Sequence, residues 1–216
     1  MIEHGQLDDS LKSKLRNKIL AGNLRPGQRI KESEIAENFH VSRTPVRQAL
    51  IALVTEGLVK RIPNVGFSVA QMSIEEVSAI YPIVWTLEAL ALDDAFELLH
   101  ANHERLKISN ERFRKQAKTP ILAHHADRDF HQGIVEYSTN TRIKEILSEE
   151  KQKIERYERF YMEDIHGVQK SAKQHDEIIQ HIRCGKKDSA KKALIKNWRS
   201  GMGIIIEKMN AIAKSR

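Results

Sequence analysis

Through the first third of the chain, apolar residues recur every three to four positions. Leu11, Leu15 and Ile19 form one stripe, which predicts a helix over Asp8–Ala21 with acidic residues and Ser10 at its start and Gly22 as its stop. Residues 25–28, RPGQ, predict a turn. Ile35, Ala36 and Phe39 predict a short helix from about Ser33 to near His40. A third helix follows, capped by Ser42, with Val46, Ala49, Leu50, Leu53 and Val54 facing inward and Gly57 ending it. The period then changes. Leu58–Ile62 and Gly66–Ala70 are rich in β-branched and apolar residues, and Pro63 to Gly66 between them read as a hairpin turn.

From Ser73 the helical period returns and no further strand signal appears. Ser73 and Glu76 form a capping box, opening a long helix bent at Pro82 with Leu87, Leu90, Ala91, Ala95, Leu98 and Leu99 on its stripe. Helical patterns then run over roughly 102–117, 120–137, 140–163, 169–184 and 187–213, with Pro120, Gly167 and Gly185 between them or near their ends. The predicted fold is mostly α. Residues 1–72 form a winged helix-turn-helix, and residues 73–216 an all-α antiparallel helical bundle.

Composition narrows the function. At 216 residues the chain can bury two cores. One cysteine excludes an internal disulfide framework, and no apolar run reaches membrane-spanning length, so a cytoplasmic protein without a membrane partner is expected. Formal net charge is +7; residues 1–72 hold 11 Lys/Arg against 7 Asp/Glu, the larger excess per residue. Within that segment the stretch VSRTPVRQAL sets a proline between two arginines. Pro45 suits a first helical turn, where its missing N–H has no partner to lose. Arg43 and Arg47 then share one face at the positively polarised helix end, where an anionic partner favours them more than the folded chain does. Placed on a recognition helix, with Lys60 and Arg61 flanking the wing, they predict DNA binding.

The run IKESEIAENFHVSRTPVRQALIALVTEGLVKRIPNVGFSV resembles the DNA-binding domain of GntR-family transcription factors almost without a gap. The resemblance covers residues from about 8 to 70. It implies a homodimer on a palindromic double-stranded operator, with Ser42, Arg43, Thr44, Pro45 and Arg47 at the DNA and the wing of Lys60, Arg61, Asn64 and Gly66 beside it. The helical remainder agrees in size with the FCD effector domain of the FadR branch. The alternative aminotransferase-like partner domain needs a far longer chain.

In the helical segment, Asp127 and His131 stand one turn apart in DRDFH, with Phe130 on an adjacent packing face. A carboxylate and an imidazole so spaced can share a metal ion or simply hydrogen-bond at the surface, and spacing alone leaves both open. His125 and Asp129 repeat the spacing elsewhere. The family resemblance implies a metal site: metal-binding FCD domains continue Asp-x-x-Phe-His with two later histidines. The first falls at His175; the second position holds Asn197, whose amide suits Mn²⁺ better than Zn²⁺ or Ni²⁺. Asp127, His131, His175 and Asn197 are therefore candidates for one divalent ion, or for a metal-free pocket accepting a small effector such as a carboxylate. Trp85 is a further pocket candidate. Val84 stands where many FCD domains carry an arginine, so the effector is expected to be less acidic or more apolar than the family habit.

Two other functions are weighed. A di-iron enzyme needs two Glu-x-x-His motifs and two further carboxylates converging inside one bundle, and Glu97–His100 falls near a helix end; no phosphate loop, zincin motif or nucleophile elbow occurs. A nonspecific architectural DNA binder would have no need of a large helical domain with convergent polar groups. The reading is a ligand-responsive regulator that is not an enzyme.

Overall fold

The computed structural model describes residues 4–214, which divide into two compact units at the junction of Met72 and Ser73. In the first unit, α1 (His4–Leu20), α2 (Glu32–Phe39) and α3 (Arg43–Thr55) pack with a small antiparallel sheet of β1 (Arg29–Ile30), β2 (Val59–Ile62) and β3 (Gly66–Val69), in the order β1-β3-β2. Helix α1 begins four residues before the predicted start. The side chains of residues 4–10, on which that start rested, lie outside those described.

The predicted stripes meet in one core. Leu15, Val46, Leu50, Leu53 and Leu58 are at most 1% exposed, and Ile30 and Phe67 from the sheet close it. Helix α3 stops where expected: Gly57 takes φ +72°, and the Leu58 N–H reaches back to the Leu53 carbonyl at 3.0 Å. In the hairpin, Lys60 pairs with Ser68 and Ile62 with Gly66. Strand β1 went unpredicted because two residues are too short for a periodicity signal; it joins β3 through Arg29 opposite Ser68 and Ile30 opposite Phe67.

The second unit is entirely helical among the described residues: α4 (Ile74–Asp94), α5 (Phe96–Ala101), α6 (Glu104–Gln116), α7 (Pro120–Val135), α8 (Thr141–Tyr161), α9 (Ile165–Arg183) and α10 (Lys187–Lys214). Half of the predicted capping box forms. Ser73 Oγ accepts from the Glu76 N–H at 3.2 Å, but the Ser73 N–H donates to the Tyr157 hydroxyl at 2.9 Å, and Glu76 turns to Arg156 and that same hydroxyl. Helix α4 passes through Pro82 and ends instead after Asp94, whose carboxylate accepts from Ser138 Oγ and the Thr139 N–H, each at 2.7 Å. Helix α9 starts earlier than predicted because Asp164 caps it, accepting from the His166 N–H at 3.1 Å. No helix among the described residues is long and apolar enough to cross a membrane.

Candidate functional site

The first candidate surface is the start of α3 with the hairpin. Ser42 takes the extended N-cap conformation, but its hydroxyl makes no capping hydrogen bond, contrary to expectation. Arg43, Thr44 and Arg47 are exposed, while Pro45 is half-buried beside fully buried Val46. Arg47 is not left without a folded-state partner. Its Nε and Nη2 donate to the two carboxylate oxygens of Glu32 at 2.9 and 3.0 Å, and that hydrogen bonding and charge raise the guanidinium pKa. Glu32 corrects the idea that both arginines await an external anion; Arg43 alone has no carboxylate partner among the described residues.

The hairpin comes close to this helix end. Arg43 borders a depression with Arg29, Lys31, Glu32 and the hairpin's Val65, and Arg29 Nη2 donates to the Val65 carbonyl at 2.9 Å. Lys60, Arg61 and Asn64 are exposed. The Val65 N–H closes a turn onto the Ile62 carbonyl at 3.1 Å, with Pro63 second and Asn64 third at φ +60°, the pattern of a type II turn. Gly66 follows at φ +113° with open space where a Cβ would stand, so backbone conformation and not crowding calls for glycine.

The second candidate is buried in the helical unit. Asp127 and His131 on α7 and His175 on α9 bring one ligand atom each within 4.8 Å of one another. Phe130, between the α7 pair, stacks on the His175 ring at 3.8 Å with planes 11° apart. Each histidine is oriented through Nδ1. His131 Nδ1 donates to Glu88 Oε2 at 2.8 Å. His175 Nδ1 donates to Asn110 Oδ1 at 3.1 Å, and Asn110 is itself fixed because its NH₂ donates to the Ala172 carbonyl and Asp176. Both Nε2 atoms therefore turn to Asp127: His175 Nε2 is 3.5 Å from Oδ1 and His131 Nε2 is 4.0 Å from Oδ2. Asp127 Oδ1 is buried and accepts no hydrogen bond.

The charges follow from this arrangement. Burial pushes the Asp127 carboxyl up to about 6; His131 opposes that rise and the Glu158 carboxylate adds to it. Burial would also raise Glu88, yet the positive charges and hydrogen bonds of His131 and Lys151 outweigh it and hold Glu88 at about 2. Burial lowers His131, but the Glu88 carboxylate more than reverses this, and the net direction is up. Burial, then the charges of His131 and Arg114, keep His175 well below the ordinary imidazole value and hence neutral.

Asn197 lies at the edge of the cluster, 5% exposed, as its inward-facing position predicts. Its NH₂ donates to Ser171 Oγ at 2.9 Å and Gln174 Oε1 at 3.1 Å, which leaves its carbonyl oxygen as the remaining donor atom for a ligand. Trp85 does not belong here. It sits half-buried with the Arg199 guanidinium 5.2 Å from its ring, and the indole at the cluster is Trp198, 4.6 Å from the His131 ring and donating to Glu88 at 2.6 Å. The cavity beside the cluster, bordered by Tyr81, Glu158 and Tyr161, measures about 30 Å³, the share of one water molecule in the liquid. Glu88, Asn110, Lys151 and Trp198 were missed from sequence. The one available signal was a carboxylate, Glu88, sitting on the apolar stripe of α4.

These donors fit a divalent cation. Two imidazole nitrogens with fixed tautomers and a carboxylate oxygen with no partner are the set such an ion takes, and the hydrogen bonds behind each imidazole are its usual support. The amide of Asn197 favours a harder ion than a third imidazole would.

Comparison with known proteins agrees with both units. The model described as bacterial regulatory proteins, gntR family, matches residues 7–69, and the FCD domain model matches residues 79–199. The HTH-type transcriptional regulator YdhC of Bacillus subtilis (strain 168) is 27% identical over 194 residues, 86% of this chain and 85% of its own. The gluconate operon transcriptional repressor of Bacillus licheniformis is 27% identical over 128 residues, 59% of this chain and 51% of its own. Among solved structures, E. coli McbR/YncC matches with a TM-score of 0.76 at 19% identity, over 97% of this chain and all of its own. A GntR-type regulator from Rhodococcus sp. RHA1 gives a TM-score of 0.78 at 19% identity, over 94% of this chain and 98% of its own. At that identity the two structures speak for the fold alone.

Proposed function

We propose how this chain, which belongs to the GntR family of bacterial regulatory proteins and carries an FCD domain, links DNA binding to a small ligand. It is a DNA-binding transcriptional regulator and not an enzyme. In our reading the protein acts as a homodimer on a palindromic operator. Arg43, Thr44 and Arg47 enter the major groove, and Lys60, Arg61, Asn64 and Gly66 follow the adjoining backbone. Arg47 reads a base edge while Glu32 holds its guanidinium fork; Arg43, without such a partner, meets phosphate.

Control rests with Asp127, His131 and His175, which would hold one divalent ion (Zn, Ni or Mn), with the Asn197 carbonyl as a further donor. The bound ion would supply a fixed positive charge for a carboxylate effector in place of the arginine absent at Val84. The observation that carries this reading is the Asp127 carboxylate, whose buried Oδ1 accepts no hydrogen bond and whose two oxygens face the Nε2 atoms of His175 and His131. Glu88 and Asn110 orient the imidazoles, and His175 stays neutral for ligation. The water-sized cavity means that an effector larger than an ion enters only after the lining side chains move. A metal-free hydrogen-bonding pocket is the second reading, favoured by the Asn197 amide bonded to Ser171 and Gln174.

The test is operator affinity, by fluorescence anisotropy on a site selected from random DNA. Chelation and metal return are expected to shift the Kd of wild type by about 5- to 150-fold, and to leave His131→Ala unmoved. A wild-type Kd that ignores both would end the metal reading.

A further inference from the structure

Between α9 and α10 lies a groove of about 670 Å³, well within the range of small-molecule sites and far larger than the buried cavity. Its walls carry Lys170, Lys192, Lys196 and Arg199, with Gln174 and Ser200, and no carboxylate. The pattern is built by spacing. Lys192, Lys196 and Arg199 stand at i, i+4 and i+7 on α10, and Lys170 and Gln174 at i and i+4 on α9. Like charges at such spacing repel, so the folded chain alone gains nothing from gathering them.

Two of the cations are already engaged. Lys196 pairs with Glu177 at 3.0 Å and Arg199 lies over Trp85. Lys170 and Lys192 have no carboxylate partner among the described residues. At the floor, Gln174 is 9% exposed; its Oε1 accepts from Asn197, and its NH₂ makes no hydrogen bond among the described residues. Ammonium, guanidinium, amide and hydroxyl donors thus line one concave wall, a combination complementary to an oxyanion.

We propose that this groove binds a small molecule bearing several oxyanion charges, at a site separate from the buried cluster. The ligand class is a polyphosphate or a polycarboxylate. The Gln174–Asn197 hydrogen bond connects the groove floor to the cluster, so occupancy of the groove is felt at Asn197. The groove reading does not depend on a metal being bound.

The experiment is calorimetric titration of the full chain, freed of metal, with inorganic pyrophosphate and, in a second arm, tricarballylate, both at about 150 mM salt, where long-range surface attraction is largely screened. One-to-one binding of one probe is expected, and the stronger arm identifies phosphate or carboxylate as the group recognised. The double variant Lys170→Ala/Lys192→Ala should weaken it about tenfold or more. Lys192→Arg, which keeps the charge, should retain it. Absence of binding by both probes at that salt would overturn the proposal, and so would unchanged affinity in the folded double variant. An anion held in the buried cluster would instead lose affinity in His131→Ala, and one held beside the hairpin in Arg43→Ala; either result would also overturn it.

Discussion

Replacing Asp127 by asparagine should stabilise the metal-free protein while destroying its candidate site. Burial raises this carboxyl from 3.8 to about 6 in the folded chain, against the pull of His131 and with the push of Glu158. The sign follows from proton uptake: a carboxyl held above its unfolded value contributes stability that is whole below about pH 4 and is lost as pH rises through about 6. A difference of about two pH units is worth about 3 kcal/mol. At pH 7.5 in chelator, Asp127→Asn should therefore exceed wild type by up to about 3 kcal/mol, and at pH 4.5 the gap should shrink to about 1 kcal/mol. Urea unfolding followed by tryptophan fluorescence isolates the relevant unit, because both tryptophans, Trp85 and Trp198, lie in the helical one. A gain of equal size at both pH values, or a loss at pH 7.5, would refute the reasoning. A stability gain obtained by removing a ligand is the signature of a site kept for function.

Three further outcomes follow from named contacts. Arg47→Ala should cost about 1–3 kcal/mol of operator affinity by anisotropy, with little effect on folding because its exposed pair with Glu32 is worth little. Glu88→Gln strands the Lys151 ammonium and loosens His131 and Trp198, and should cost about 3–5 kcal/mol in urea unfolding at pH 7. Because Glu88 sits at about 2 in the folded chain, that difference should persist above about pH 4.5 and fade as pH drops towards 2. Tyr157→Phe removes the hydroxyl that accepts the Ser73 N–H and meets Glu76; a loss of about 1–3 kcal/mol is expected in the same assay.

Local signals carried the fold. The stripes of α1 to α3, the Gly57 stop and the hairpin turn at Pro63 and Asn64 are each written within a few residues, and each forms. Contacts between distant segments were not legible. Periodicity says that Glu88 faces inward but not that it meets His131, 43 residues on, or Trp198, 110 residues on. Trp85 is a pocket candidate through its place beside Val84, whereas the packing of α4 against α10 brings Trp198 to His131. Arg47 looked unpaired because Glu32 is brought to it by the turn between α2 and α3, fixed by His40 at φ +54°. The cluster itself was partly visible: Asp127 and His131 from their spacing, His175 and Asn197 from the family pattern alone.

In the proposed regulator, Asp127, His131 and His175 would hold a divalent ion despite Asn197. Elemental analysis of the purified, untagged protein beside a His131→Ala variant tests it most directly. Near-stoichiometric metal in wild type and its loss in the variant is the expected result. No metal in either, even after dialysis against Zn²⁺, Ni²⁺ and Mn²⁺, would contradict it and leave the cluster as a metal-free pocket.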